Sequence, residues 1–467
     1  MQPNGNRKVV LSFRPEHLIG WGVTIVLCLV PVILWARIHP LSTVQGFIPT
    51  MLNLGRVTGL IGTVMYALNL VYATRLRFLE YWFGGLNRVY IAHHVLGGLA
   101  LIMLSFHPLF LALRYVTTSM KDAALLLVPN GLFPINHLFD TNSVQHAVVL
   151  QQWAIMFGVI AFWGMVALLV VTFFIKLPYR LWLFTHKFLG LAFFIGGLHI
   201  FFISSDTSRD PAMKWYILTM VLIGLVAFVY KTVVGAIFIR RYKYTVDAVK
   251  IVAGNVTQVL MSPQSQVMPY KPGQFVFVRF RNGGPGVSRE WHPFSISSAP
   301  NEYQLELSVK GLGDYTNKLG TLLAGATADI EGAYGRFSYT NYTCTDQIWV
   351  GAGIGISPFL SMLKNLPVSG CKVDLYYVVK TESELIDWDK IAQHANARYG
   401  YVRVIPYIGD KQAGHLNADY IEGVSQTLSG KDFYLCGPPG MMQDLRKQLR
   451  AKGVPATSIH SEEFGMS

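Results

Sequence analysis

Two apolar stretches, each with a histidine towards either end, constrain this chain more than any other feature. Residues 88–113 read RVYIAHHVLGGLALIMLSFHPLFLAL and carry His93, His94 and His107. Residues 185–202 read THKFLGLAFFIGGLHIFF and carry His186 and His199. At ~1.5 Å per residue, either stretch crosses a hydrocarbon core ~30 Å thick as a helix. Ionisable groups at that depth are costly and point to function by default. A histidine at each level of both spans therefore suggests two metal centres stacked across a bilayer.

Imidazole suits iron, and haem takes axial histidines. His93 and His107 are 14 residues apart. That is ~20 Å along a helix and within ~40° of one face, which favours His93 over His94 as a ligand. His186 and His199 are 13 residues apart. In a straight helix that spacing misses by ~140°, so a kink or bulge is expected, with Gly190, Gly196 and Gly197 to permit it. The competing explanation is that these histidines hydrogen-bond between helices.

With 467 residues, 52% hydrophobic, and a mean hydropathy of +0.37, the chain is too apolar for an ordinary soluble protein. Charges are sparse from Leu18 to Ala236 and common afterwards, so a membrane half precedes a soluble half. Six spans are expected, over residues 18–36, 57–73, 88–113, 147–175, 185–202 and 215–236. The first is followed by Arg37-Ile38-His39-Pro40 rather than a small-residue cleavage site, and reads as an uncleaved span. The net charge of +13 lies largely in loops beside the spans, where it sets topology rather than binding nucleic acid. The amino terminus, Arg75, Arg77 and Arg88, Lys176 and Arg180, and Lys231 to Lys243 fall on one side. By the positive-inside rule that side is cytoplasmic, which puts residues 1–17 and the soluble half in the cytoplasm of a multi-pass plasma (inner) membrane protein. Cys28, Cys344, Cys371 and Cys436 have neither metal-site spacing nor the look of a disulfide framework. His137 and His146, in the long outer loop 115–146, read as solvated loop histidines.

After Arg241 the pattern becomes one of strands. Tyr303 to Lys310 alternates apolar and polar residues, and Gln274 to Phe280 is similar. This predicts an antiparallel β-barrel over 241–342 with Trp291-His292-Pro293-Phe294-Ser295 at its centre. From Gln347 strands alternate with helical runs, a parallel α/β domain over 343–467. There Gly351-Ala352-Gly353-Ile354-Gly355, with Pro358 beyond, lies between a strand and a helix and lets a phosphate approach backbone N–H groups. Cys436-Gly437-Pro438 forms a second turn of this kind.

Taken in order, these motifs resemble the ferric reductase and NADPH oxidase superfamily, of the prokaryotic type, over nearly the whole chain. The resemblance implies a transmembrane domain over 18–240 holding two b-type haems, with His93 and His186 on the inner one and His107 and His199 on the outer. It implies a ferredoxin-reductase-type module in the second half. His292, Pro293, Phe294 and Ser295 match its flavin motif; Lys310, Gly313, Asp314 and Thr316 match the segment that contacts the FAD pyrophosphate. Gly351, Gly353, Gly355 and Pro358 match the NADPH pyrophosphate turn, and Cys436, Gly437 and Pro438 the turn beside the nicotinamide. Phe464 resembles the terminal aromatic that covers the flavin ring. Lys380 stands where NADPH-selective members often carry Arg, and His415 where Gly-Arg is common, so NADPH and NADH both remain open as donors. Arg56, at the start of the second span, resembles an arginine on the acceptor side. Leu111 stands where some oxygen-reducing members have a histidine. The implied activity is electron transfer from cytosolic NAD(P)H through FAD and two haems to an extracytoplasmic acceptor, either O2 or ferric iron. A haem-free transporter or sensor with a nucleotide-binding domain is the alternative.

Overall fold

The computed structural model describes residues 18–40, 45–128, 143–235, 239–284, 286–342, 345–397, 401–412 and 414–462. The expected amino-terminal segment 1–17, His137 and Phe464 lie outside the described residues, as does the side chain of His146. The chain divides into two compact units with a boundary at Phe238 and Ile239.

Among the described residues, the first unit contains six helices long and apolar enough to cross a membrane. They are α1 (Ile19–Ile38), α2 (Phe47–Tyr72), α3 (Leu86–Leu113), α4 (Ser143–Phe174), α5 (Tyr179–Phe202) and α6 (Pro211–Val229), the last continued by a π-helical turn, Tyr230–Val234. Asp210 caps α6, its Oδ1 accepting from the Met213 N–H at 2.8 Å, with Pro211 in the first turn, where a missing N–H costs nothing. Two expectations are corrected. Helix α2 begins at Phe47 rather than Val57, so Arg56 lies inside it; a charge is tolerated there because Asp206 lies 3.1 Å away. Helix α5 is α-helical from end to end, without the bulge expected from the 13-residue spacing. Side chains absorb the misfit instead. His186 stacks on Trp182 of its own helix, centroids 5.0 Å apart, whereas His199 leans across to the Ala154 carbonyl on α4. The glycines of α5 serve packing. A Cβ on Gly190 would stand 2.1 Å from the Phe228 ring, and one on Gly197 2.9 Å from Val221, both in α6.

The second unit begins with a six-stranded antiparallel sheet in the order β4-β3-β6-β1-β2-β5. Its strands are β1 (Arg241–Val252), β2 (Val256–Pro263), β3 (Phe275–Arg281), β4 (His292–Ser295), β5 (Leu305–Lys310) and β6 (Thr327–Tyr334). A bridge between Ile296 and Leu307 brings the far edges together and closes the barrel. Alternation decides which side chains fill it: Tyr242, Tyr244 and Val246 of β1 and Val276, Val278 and Phe280 of β3 all point inward. Tyr303, read as the first residue of the alternating run, is 65% exposed, because pairing begins only at Leu305.

A five-stranded parallel sheet follows, in the order β11-β10-β7-β8-β9. Its strands are β7 (Asp346–Ala352), β8 (Lys372–Val379), β9 (Val402–Ile408), β10 (Asp432–Cys436) and β11 (Ile459–Glu462). Both faces are buried, as a parallel sheet requires. Tyr377 joins one core with Trp349 and Phe359, and the adjacent Tyr376 joins the other with Phe433 and Leu435. Helices α7 (Ser357–Asn365) and α8 (Trp388–Asn396) contribute to the first core, α9 (Ala418–Ser425) and α10 (Pro439–Ala451) to the second. Strand β7 starts in mid-sheet, so the strand order reverses between β7 and β10, the crevice where open α/β sheets bind ligands.

Candidate functional site

The four histidines form two opposed pairs inside the helix bundle. His93 of α3 faces His186 of α5 with ring centroids 6.3 Å apart; His107 faces His199 at the same 6.3 Å. Two imidazole nitrogens each ~2 Å from a shared metal would put the rings roughly 6 Å apart, so both pairs have the separation of axial ligands. Three of the rings are fixed from behind. His93 Nδ1 donates to the Asn69 carbonyl at 3.0 Å, His107 Nδ1 to Gly55 at 2.6 Å and His199 Nδ1 to Ala154 at 2.8 Å. A carbonyl only accepts, so the proton is on Nδ1 and the lone pair on Nε2, the arrangement metal-binding histidines use. His186 has no hydrogen bond at Nδ1 among the described residues and is held by the Trp182 stack.

Glycines admit the rings. A Cβ on Gly59 of α2 would stand 2.5 Å from His107 Nδ1, and one on Gly158 of α4 2.8 Å from His199 Nδ1. Sequence reasoning passed over both, although Gly55-Arg56-Val57-Thr58-Gly59 is the small-xxx-small spacing of closely packed membrane helices. The His107–His199 pair lines a cavity of about 330 Å³, shared with Arg56, Tyr66 and Phe193. Among the described residues no three His, Cys, Asp or Glu side chains converge on a bare-ion site. Two imidazoles per level fit haem, whose macrocycle supplies the other iron ligands.

In the barrel, β4 carries the expected flavin motif along its pairing with β3. The His292 ring stacks on Tyr315 at 3.6 Å. Burial lowers the His292 pKa, only partly opposed by Glu290, so the ring is neutral at pH 7. Ser295 Oγ and Tyr315 Oη are buried without a hydrogen-bond partner among the described residues, which suits a site completed by a polar cofactor. Beyond Lys310, Thr316 Oγ1 accepts from the N–H groups of Leu312 at 2.9 Å and Gly313 at 3.1 Å. That hydroxyl holds the Gly313-Asp314 turn in shape.

At the switch point of the parallel sheet the two glycine turns abut. Gly353 has φ +55°, and the turn Gly353–Ile356 leads directly into α7 with Pro358 in its first turn. A Cβ on Gly355 would stand 2.3 Å from the Cys436 carbonyl oxygen, and one on Gly437 2.6 Å from the Ala352 Cβ. Only glycine permits that contact on either side. Ser357 Oγ donates to the Ile354 carbonyl at 2.9 Å and reaches the Ser308 carbonyl of β5 at 3.3 Å, tying this turn to the barrel.

Residues 58–197 match the family model described as ferric reductase like transmembrane component. Residues 241–343 match an FAD-binding domain and residues 349–447 an oxidoreductase NAD-binding domain. The chain belongs to the ferric reductase and NADPH oxidase superfamily. This superfamily member is 30% identical over 198 residues to respiratory burst oxidase homolog protein E of Arabidopsis thaliana, covering 36% of this chain and 20% of that protein. It is 25% identical over 223 residues to the flavohemoprotein of Xylella fastidiosa, covering 45% of this chain and 55% of that one. The chain thus spans from about a fifth to about half of these relatives. Its second half also aligns with the FAD/NAD binding domain of nitric oxide dioxygenase from Vibrio cholerae, at 24% identity and a TM-score of 0.42, over 48% of this chain and 98% of that one.

Several superfamily positions take on detail here. Lys380 is exposed just past the end of β8, its backbone N–H donating to Glu384 at 3.2 Å. Cys436 is fully buried; burial pushes its thiol pKa well up, with the nearby Glu462 adding to the effect. Leu111 packs where a Cβ on Gly55 would stand 2.7 Å away. Asp206 went unremarked in the sequence, yet it is buried against Arg56 and lines the His107–His199 cavity.

Proposed function

We propose that this chain moves electrons from cytosolic NAD(P)H across the membrane to an acceptor on the other side. The observation that carries this reading is the pair of opposed histidine couples, equally spaced at 6.3 Å, in one chain with FAD- and NAD-binding domains. When bound, FAD converts hydride to single electrons, and two b-type haems carry them one at a time. His93 and His186 hold the inner haem, His107 and His199 the outer. The backbone carbonyls of Asn69, Gly55 and Ala154 hold three of those imidazoles with the proton on Nδ1 and Nε2 free for iron. Tyr66 and Phe193, centroids 4.9 Å apart, line the cavity of the outer pair.

In the cytoplasmic unit His292, Pro293, Phe294, Ser295 and Tyr315 orient the flavin, while Lys310, Gly313, Asp314 and Thr316 take its pyrophosphate. Gly351, Gly353, Gly355 and Pro358 take the NAD(P)H pyrophosphate at the start of α7, where helix N–H groups favour an anion. Lys380 pairs with a 2′-phosphate as a point charge, favouring NADPH. Cys436, kept as a neutral thiol, stands beside the nicotinamide position, and Phe464, by its resemblance to the superfamily's terminal aromatic, is assigned to cover the flavin ring. Orientation rests on the basic loops.

The test is anaerobic addition of NADPH to purified protein loaded with FAD. Reduced b-type haem bands are expected; protein that purifies without haem would favour the transporter or sensor reading. Superoxide yield per NADPH in air, set against ferric chelate reduced without oxygen, then identifies the acceptor.

A further inference from the structure

Strand β5 and helix α7 each carry a cofactor segment, and each is tied to the other. Strand β5 runs from Glu306 through Ser308 to Lys310, where the expected FAD pyrophosphate segment begins. Helix α7 starts with Ser357 and Pro358, at the expected NAD(P)H pyrophosphate turn, and ends at Asn365. Ser357 Oγ lies 3.3 Å from the Ser308 carbonyl oxygen, and Lys364 Nζ lies 3.2 Å from Glu306 Oε2. Both ends of α7 are thus tied to one strand of the barrel. The side chains of the ion pair are only 14% and 15% exposed, so salt screens it less than a surface pair.

A third tie lies beside these two. Gln258 of β2, the register partner of Ser308, donates from Nε2 to Oδ2 of Asp387 at the start of α8. Aspartate in that position ordinarily caps its own helix by accepting from a first-turn N–H. The Asp387 side chain makes no such bond. One carboxylate oxygen goes to the barrel instead, and the other accepts from Lys390 Nζ at 2.8 Å. Asp387 also has φ +51°, a left-handed backbone that is costly for a residue with a Cβ. Such a conformation persists only where its surroundings impose it. Val256, two residues before Gln258, joins the core around Trp349 and Phe359, so apolar packing backs the same seam.

Resting on the electron-transfer reading above, we propose that Gln258, Asp387, Glu306 and Lys364 are positioning residues for hydride transfer. Acting through β5 and α7, they set the separation of the two pyrophosphate segments, and with it that of nicotinamide and flavin. Hydride leaves the nicotinamide with both electrons of its C–H bond and joins the flavin, and the nucleotide departs as NAD(P)+. Reacting atoms must approach within about 3–3.5 Å, and a misplacement of about 1 Å slows such a step by up to about 100-fold.

Full-length protein loaded with FAD is mixed with saturating NADPH, or NADPH deuterated at C4, without oxygen, and flavin reduction is followed by stopped flow. The variants are Gln258→Met, Asp387→Gly, Asp387→Asn, Lys364→Met and the double variant of Gln258→Met with Asp387→Gly. Glycine keeps the left-handed backbone and removes the carboxylate, so it separates the tie from the strain. Gln258→Met, Asp387→Gly and Lys364→Met are each expected to slow flavin reduction about tenfold, with a deuterium isotope effect on that step. Affinities for NADPH and FAD stay unchanged, Asp387→Asn recovers most of the rate, and the double variant is no slower than its slower parent. Unchanged flavin reduction in Asp387→Gly and Lys364→Met overturns the proposal. So does a slower step that only accompanies lost FAD or NADPH affinity, which assigns these residues to folding alone. Wild-type flavin that NADPH does not reduce overturns the electron-transfer reading, and this proposal with it.

Discussion

His107 and His199 face one another at 6.3 Å, and each donates its Nδ1 hydrogen to a backbone carbonyl on a third and a fourth helix, Gly55 of α2 and Ala154 of α4. Four helices thus fix one imidazole pair. The His93–His186 pair is built differently, with one carbonyl anchor at Asn69 and one aromatic stack on Trp182. The two levels therefore differ in rigidity.

His107→Leu or His199→Leu is expected to remove the outer haem and leave the inner one. Pyridine haemochrome analysis should fall from two haems per chain to one, with the equivalent result for His93→Leu or His186→Leu. Two haems retained in any of these variants would overturn the ligand assignment.

Gly59→Ala tests the cradle behind His107. Alanine favours a helix interior by about 1 kcal/mol over glycine, but overpacking costs about 1–3 kcal/mol. With a Cβ placed 2.5 Å from the ring, the second effect wins. A lowered Tm and an altered outer-haem spectrum are expected. Gly98→Ala, whose Cβ meets nothing within 4 Å, should be neutral or stabilising.

Thr316→Val removes the acceptor for two backbone N–H groups in the Gly313 turn. FAD affinity should drop about tenfold, from about 1.4 kcal/mol lost, and Thr316→Ser should restore it. Titration of flavin fluorescence measures both; equal affinity in all three proteins would show that the turn does not need this hydroxyl.

Gly437→Ala pushes a methyl group into Ala352 and closes the crevice between β7 and β10. The KM for NADPH should rise by tenfold or more while FAD content and flavin reduction by dithionite stay normal. Loss of FAD alongside would place the damage in the barrel rather than at the nucleotide turn.

Asp329 predicts the acid limit of the barrel. Burial alone would raise its carboxyl, but hydrogen bonds from Arg279 and Arg281 outweigh burial and hold it below the usual range. A carboxyl depressed in the folded state stabilises above its unfolded pKa of about 3.9 and loses that stabilisation as pH falls through the folded value. Thermal melts should therefore weaken below about pH 4, and Asp329→Asn should flatten that loss while lowering stability at pH 7.

Hydropathy and period are local, so the chain order carried them openly: six spans, a barrel with alternating strands, and a parallel α/β domain. The four histidines were equally plain, because imidazole is rare at membrane depth. Their partners were hidden. The Gly55–His107 hydrogen bond joins residues 52 apart in sequence and Ala154–His199 joins residues 45 apart. No local pattern records which glycine lies flat against a ring, that α5 stays α-helical throughout while its two histidines find different supports, or that Asp206 pairs with Arg56. The sequence by itself determined which residues are available for chemistry, since side-chain type and helix spacing are fixed by the covalent chain. Tertiary structure alone decided which atoms meet, because contact and charge balance arise only when segments distant in sequence pack together.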